Sequence, residues 1–243
     1  MKQLFSLLLL CCMNLVSAQR VESPTGTLAL TFQLTPDGQP TYAVSYKNKP
    51  VVLSSALGVS LKDKTALVNH FEVTGTTTHA VNETWKPVLG EQAQIVNHYN
   101  ELIVALVQKD SKVKLNLVFR AFDEGVAFRY DFPKQENLNY FIISDEKTEF
   151  NLTENNKVFW IPGDFDSNEY VYNETKFSEI DNEKLNLNNG IGVKSIPGKY
   201  TVQTPLQMKS PSGLYLNIFE AAVVNYPVMH LDANVQKYTL KAN

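Results

Sequence analysis

The chain has 243 residues and carries 22 lysines and arginines against 25 aspartates and glutamates, a formal net charge of −3. Neither sign of charge forms a long block, and no basic stripe suited to a phosphate backbone is present, which argues against a nucleic-acid-binding protein. The length is sufficient for one large domain with its own core.

An export signal is the first element that the sequence predicts. A basic residue precedes an apolar run over residues 4–16, and residues 16–18 match the small-residue pattern of a signal-peptidase site. The run is too short to cross a bilayer by itself, which favours a cleaved signal over a membrane anchor. We therefore predict a signal peptide over residues 1–18 and an exported, periplasmic domain over residues 19–243 with no membrane partner.

Period-two alternation of apolar and polar residues recurs along the predicted mature chain and indicates short, half-buried strands. It is clearest in residues 28–34, 41–46, 101–107, 113–120 and 126–132. Turn signals rich in Gly, Pro, Asn and Asp lie between these runs at the spacing of antiparallel hairpins. The sequence therefore predicts an all-β fold, a large antiparallel β-sandwich of two stacked sheets.

Two segments differ from the rest of the chain: one lacks alternation, and the other alternates without a turn signal at its end. Residues 173–198 are rich in Lys, Glu and Asn and poor in apolar residues, which predicts a long surface loop with room for one short helical turn. Residues 236–243, in contrast, still alternate between apolar and polar residues and contain no turn signal that would end a strand. We therefore expect the fold to be C-terminally incomplete, with a strand cut or the sequence a fragment of a longer protein.

Residues 160–170 place three carboxylates and aromatic side chains in one turn-like segment. Grouped carboxylates can hold a hard cation, and exposed aromatic faces can stack on sugar rings. The spacing of Asp164, Asp166 and Asn168 matches the start of an EF-hand loop, but Glu169 then occupies the position that requires glycine. The residues alone therefore favour a solvated acidic turn over a self-sufficient calcium loop.

The same residues resemble a signature of the N-terminal domain of glycoside hydrolase family 97, which comprises bacterial α-glucosidases and α-galactosidases. Three other segments resemble that domain in the same order along the chain: residues 85–102, 119–130 and 217–231. The resemblance implies a galactose-mutarotase-like super-sandwich that packs on a (β/α)8 catalytic barrel. That barrel is absent from this sequence, so the chain alone is expected to be catalytically silent.

The resemblance also implies roles for individual residues. Glu169 would ligate an active-site calcium together with carboxylates of the barrel, and calcium would be a cofactor of the full-length enzyme only, since Ca²⁺ takes about six to eight oxygen ligands. The substrate would be an α-linked oligosaccharide. The residues expected at the rim of the sugar pocket or at the barrel interface are Asn97, His98, Tyr99, Glu101, Asp164 and Asp166.

Alternative interpretations remain open at this point. Trp85 equally suits a core position within a connection between strands, and Arg120 and Arg129 suit cross-strand ion pairs. A histidine with Glu220 could form an acid–base pair like that of mutarotases, although the spacing gives no support. The chain could instead be a free-standing carbohydrate-binding module with a stacking platform of Trp85, Trp160, Tyr170 and Tyr172, or a purely structural interaction domain.

Overall fold

The computed structural model describes residues 18–185, 195–224 and 226–243. The predicted signal peptide therefore lies outside the described residues except for Ala18, and so do residues 186–194 of the predicted surface loop. The described residues form eighteen strands and two short 3₁₀ helices, which confirms the prediction of an all-β fold. In this part of the chain no helix is long and apolar enough to cross a membrane.

The strands are numbered in chain order. They are β1 Gln19–Glu22, β2 Leu28–Leu34, β3 Pro40–Tyr46, β4 Lys49–Ala56, β5 Val59–Leu61, β6 Phe71–Trp85, β7 Ile95–Gln108, β8 Lys114–Ala121, β9 Val126–Asp131, β10 Ile143–Glu146, β11 Glu149–Leu152, β12 Lys157–Trp160, β13 Asn173–Lys176, β14 Thr201–Gln203, β15 Leu206–Lys209, β16 Tyr215–Ile218, β17 His230–Asn234 and β18 Thr239–Ala242. The 3₁₀ helices cover Phe177–Glu179 and Asn182–Lys184.

One long sheet covered by two smaller sheets forms the body of the domain. The long sheet has the strand order β1-β2-β3-β4-β11-β18-β17-β14, and the smaller sheets have the orders β6-β7-β8-β9 and β13-β12-β15-β16, all antiparallel. A separate two-stranded sheet pairs β10 with β5. Two buried apolar clusters result, one on each half of the long sheet, and Phe150 of β11 packs against both.

The alternation in the sequence explains which side chains enter these cores. In β8, Leu115, Leu117 and Phe119 are fully buried, whereas Asn116 and Arg120 point to the opposite face. The Phe119 ring packs against Phe32 of β2 with 5.8 Å between ring centroids, which ties the smaller sheet to the long one. Complete burial of such side chains stabilises the fold by about 1.5–3 kcal/mol each.

The predicted surface loop over residues 173–198 is wrong in its first part. Residues 173–176 form β13, which pairs with β12, and the following 3₁₀ helix buries Phe177. Ile180 is buried as well, three residues further on, and this spacing places both side chains on the same side of a 3₁₀ turn. Two apolar residues at the right spacing therefore anchor a segment whose composition is otherwise polar.

Candidate functional site

The acidic segment leaves the end of β12 through a tightly packed Pro-Gly pair. Pro162 forms an isolated bridge with Val202 of β14, and the Gly163 N–H donates to the Thr201 carbonyl at 3.0 Å. A Cβ atom at Gly163 would lie 2.7 Å from the Thr201 side chain and 3.1 Å from the Val202 carbonyl oxygen, so only glycine fits here. The start of the segment is thereby fixed against the core.

A buried carboxylate organises the loop that follows. Asp164 is 3% exposed, and its Oδ1 accepts hydrogen bonds from the backbone N–H of Asp166 at 2.9 Å and of Ser195 at 3.2 Å. Its Oδ2 accepts the hydroxyl proton of Tyr170. Burial alone would raise the pKa of Asp164, but these hydrogen bonds and one from the Ser167 backbone lower the pKa below its ordinary value. Asp164 is therefore ionised at neutral pH, and we call this carboxylate together with its hydrogen-bond donors the hub of the loop.

The outer part of the loop carries the predicted calcium ligand. Asp166 is exposed and accepts a hydrogen bond from the Ser195 hydroxyl, and the Glu169 N–H donates to the Ser167 hydroxyl at 3.1 Å. Glu169 itself is exposed. The loop thus keeps Glu169 at the surface of the domain. The hydrogen bonds to Asp164 fix the buried side of the loop.

His230, which lies in the long sheet, packs against the same loop. His230 begins β17 and is 3% exposed, and its ring lies 5.0 Å from the ring of Phe165. Burial lowers the pKa of His230, although the carboxylates of Asp164 and Asp232 act in the opposite direction. Neutral His230 therefore serves as packing for Phe165. Sequence reasoning singled out this histidine without predicting that contact, because Phe165 and His230 lie far apart in the chain.

The hypothetical acid–base pair of a histidine with Glu220 is not formed in the described part of the chain. Glu220 Oε2 instead accepts the backbone N–H of Met229 at 2.9 Å, and Tyr226 donates its hydroxyl proton to Glu146 at 2.7 Å. Both contacts tie down the connection between β16 and β17. The carboxylates therefore shape a loop, and His230 remains buried beside it.

The residues predicted from the second family segment lie in strand β7. Asn97, Tyr99 and Glu101 share one face of this strand, and His98 projects from the other face and is exposed. The Glu101 carboxylate accepts from Arg120 Nε at 2.7 Å, which confirms the cross-strand ion pair predicted for Arg120. Arg120 also lies over the Tyr99 ring at 4.6 Å. Tyr99 and Glu101 are thus buried within this domain.

The two tryptophans differ in burial, so different interpretations hold for them. Trp160 is 1% exposed, and its indole N–H donates to the Thr175 hydroxyl at 3.0 Å, so it cannot belong to a stacking platform. Trp85 is 48% exposed at the end of β6, so the core interpretation of this residue is wrong. The reason is that β6 is the edge strand of its sheet, and its residues from Glu72 to Ala80 are exposed as well as Trp85 at its end.

The loop does not contain a complete metal site within the part of the chain that the structure describes. Among the described residues no group of three or more His, Cys, Asp and Glu side chains is suited to hold a metal ion. Asp164 uses its oxygens for internal hydrogen bonds, whereas Glu169 is a surface carboxylate. As a hard oxygen donor, Glu169 is chemically suited to contribute one ligand to a calcium ion whose other ligands come from outside the domain.

The titration of Tyr170 gives a direct check on the hub. Burial and the hydrogen bond to Asp164 raise the pKa of Tyr170 to about 12. Because this value lies above that of an unfolded tyrosine, about 10, the stabilising contribution is complete below pH 10 and is lost as the pH rises through 12. An ultraviolet difference titration of wild type against Tyr170→Phe is expected to show a midpoint near 12. With exposed Tyr172→Phe as control, a Tyr170 midpoint near 10 would contradict the hub.

Comparison with solved structures first defines the class of the fold. A crystal structure of a β-arabinopyranosidase superposes on 93% of this chain with a TM-score of 0.77 at 20% identity, so the domain shares its sandwich architecture with part of a glycosidase. The chain belongs to the glycosyl-hydrolase 97 N-terminal family, whose model matches residues 21–243, and this confirms the resemblance inferred from the four sequence segments.

Two relatives illustrate the membership. A retaining α-galactosidase of Bacteroides thetaiotaomicron is 24% identical over 96% of this chain and 34% of its own length. A glycoside hydrolase family 97 enzyme from Pseudoalteromonas sp. strain K8, solved with acarbose, is 30% identical over 93% of this chain with a TM-score of 0.78, and the match covers 31% of that enzyme. The chain therefore spans about a third of the length of the relatives that it matches.

Proposed function

We propose that this chain is the N-terminal domain of an exo-acting α-glycosidase, an α-glucosidase or α-galactosidase, which packs on a (β/α)8 catalytic barrel and donates Glu169 to the calcium ion of its active site. The observation that carries the proposal is the loop of residues 163–172. Its buried carboxylate hub fixes the loop that carries the surface acid Glu169, and the described residues contain no group of three or more ligands that could hold a metal ion by themselves. A preorganised single ligand is suited to a site completed by another domain.

An apolar surface around the loop supports domain packing at this place. Phe165 contacts His230, which brings the acidic loop next to the connection between β16 and β17. Large apolar side chains are exposed on both segments, namely Phe165, Val171, Tyr172, Phe219, Val223, Val224 and Val228. Exposed apolar side chains on neighbouring segments are suited to a surface that a partner covers. The barrel is the partner that we propose.

The chemical role of this domain would be positioning. A bound calcium ion can polarise the substrate as a Lewis acid, and Glu169 would hold that ion in place with negative charge. Glycoside hydrolysis also needs two carboxylates at the scissile bond, and these would belong to the barrel. The substrate class that we propose is an α-linked oligosaccharide, since one relative was solved with acarbose and a variant of the same enzyme with panose.

The proposed location is the periplasm, on the strength of the export signal predicted over residues 1–18. A cleaved signal would leave a mature chain without cysteine, since Cys11 and Cys12 both precede Gln19. Stability would then depend on the two apolar cores alone.

A second candidate function is a free-standing carbohydrate-binding module. The exposed rings of Trp85 and Tyr172 favour it, since aromatic faces stack on sugars. The burial of Trp160 removes one ring from that platform. Saturable binding of panose by the 243-residue chain in calorimetry, lost in Trp85→Ala, would support this candidate.

Catalytic silence of the isolated chain tests the proposed function. The 243-residue protein is expected to release no glucose or galactose from panose, maltose or melibiose, whereas the full-length polypeptide with its downstream barrel is expected to hydrolyse at least one class of α-linked substrate. The measurement is reducing-sugar release at matched protein concentration with and without calcium. Hydrolysis by the 243-residue chain, or a downstream reading frame without a barrel, would contradict the proposal.

A further inference from the structure

The hairpin of β6 and β7 continues beyond the body of the domain. Beyond a register shift between Val73 and Gly75, pairing between these strands is regular to Trp85 and Ile95, whereas pairing of β7 with β8 ends at Asn100 and Ala121. Residues 80–85 and 95–99 therefore form a two-stranded ribbon, joined by residues 86–94 at its tip. We call residues 80–99 the arm.

The base of the arm is fixed to the domain. Asn100 Nδ2 donates to the Glu22 carbonyl of β1 at 2.8 Å, and the Glu101–Arg120 ion pair joins β7 to β8. Tyr99 is clamped between Arg120 and Phe122, with 4.9 Å between the two aromatic centroids. The direction of the arm is thus set by contacts of buried side chains.

The end of the arm exposes four large apolar side chains, two at its tip and two in the adjoining strand ends. Val88 is 98% exposed, Leu89 89% and Val96 67%, and Trp85 adds a half-exposed ring. A two-stranded ribbon is at best marginally stable when no other layer packs on it. A rigid base that carries an exposed apolar tip is suited to an anchor that inserts into another protein surface.

The side chains at the tip indicate which class of partner suits it, a sugar or a protein surface. Aliphatic side chains such as Val88 and Leu89 offer a sugar no flat face, and the nearest polar pair, Asn97 and Glu83, is joined by its own hydrogen bond of 2.6 Å. A protein surface is therefore the better match. About two thirds of the length of the matched relatives lies outside the region that this chain covers, which supplies such a surface within one polypeptide.

We infer that the arm is a clasp that docks its tip on the downstream part of the full-length polypeptide, as a second contact separate from the Glu169 loop. This inference rests on the proposed function, because it requires a downstream domain. Val88 and Leu89 are the anchors, and the Tyr99–Glu101–Arg120 cluster aims them. The clasp holds the two domains together independently of calcium.

Amide hydrogen exchange of residues 86–94 tests the clasp in the 243-residue chain and in the full-length polypeptide. The tip is expected to exchange freely in the short chain and at least about tenfold more slowly in the full-length protein, with or without calcium. The double change Val88→Glu and Leu89→Glu is expected to abolish that protection. The matched control, Gln92→Glu and Gln94→Glu, adds the same charge to the same connection without removing an apolar side chain and is expected to retain it.

Several results would overturn the clasp. Equal exchange in the short and full-length proteins would show that nothing downstream covers the tip. Protection that grows with the concentration of the short chain would assign the tip to a second copy, and protection that requires added panose would assign it to a sugar. A reading frame without a downstream barrel removes the proposed function itself, whereas an unprotected tip in a protein that has one overturns only the clasp.

Discussion

Replacing Asp164 with alanine is expected to release the loop of residues 163–172 while both apolar cores remain folded. The change removes the acceptor of the hydrogen bonds from the Tyr170 hydroxyl and from the backbones of Asp166, Ser167 and Ser195. An unsatisfied buried donor costs about 1–3 kcal/mol, and because the opened loop lets water reach these donors we expect a total loss of about 1–3 kcal/mol. Hydrogen exchange of residues 164–171 and urea unfolding of the 243-residue chain measure the two effects.

The exposed neighbour Asn168 offers the control, since Asn168→Ala lies on the same loop and is expected to change neither measurement. Acid supplies an independent check. Because the folded-state pKa of Asp164 is lowered, its stabilising contribution is complete above the unfolded value of about 3.9 and is lost as the pH falls through the lower folded-state value. Loop exchange that is unchanged in Asp164→Ala would show that the hub has no organising role.

Changing Glu169 to glutamine in the full-length enzyme is expected to weaken calcium binding and hydrolysis together. The substitution keeps the shape of the side chain but removes the charge that a hard cation prefers. Disturbing the support of a metal site typically costs about ten- to a hundredfold in affinity or activity, and we expect the calcium concentration for half-maximal activity to rise by that factor. In the 243-residue chain the same change is expected to leave stability unaltered.

Glu174→Gln is the matched control, because Glu174 lies on β13, five residues beyond Glu169, and makes a surface ion pair with Lys157 of β12. Surface pairs of this kind contribute little to stability. A Glu169→Gln enzyme with the calcium requirement of wild type would contradict the role proposed for this carboxylate. So would an equal loss in Glu174→Gln, because that result would reflect a general effect of surface charge.

Alternation within single strands predicted the fold class well, because it reports directly which side chains enter a core. Leu115, Leu117 and Phe119 of β8 are an example. The pattern could not show that two smaller sheets share one long sheet, because alternation does not state which layer covers a strand. The same limitation explains Trp85, which ends an edge strand that is exposed along almost its whole length. For Trp160 a signal was present, since it shares its parity in β12 with buried Val158.

The candidate site divides in a similar way. The family resemblance identified the acidic segment and Glu169, but the role of Asp164 depends on contacts that the sequence does not bring together. Ser195 lies 31 residues from Asp164, and His230 supports the loop from a different sheet. Only the hydrogen bond from Tyr170, six residues further along the same segment, was within reach of local reasoning. The tertiary structure therefore places Asp164, which was expected at the pocket rim or barrel interface, among the buried contacts that hold the loop of Glu169.

Calcium calorimetry tests the central claim most directly, because the claim is that Glu169 belongs to a metal site shared between two domains. Three proteins are titrated under identical conditions: the full-length enzyme, its Glu169→Gln variant and the 243-residue chain. We expect tight binding of calcium by the full-length enzyme, binding weakened about ten- to a hundredfold in the variant, and no measurable tight binding by the short chain. Tight binding by the short chain, or equal affinity of the full-length enzyme and its variant, would contradict the account.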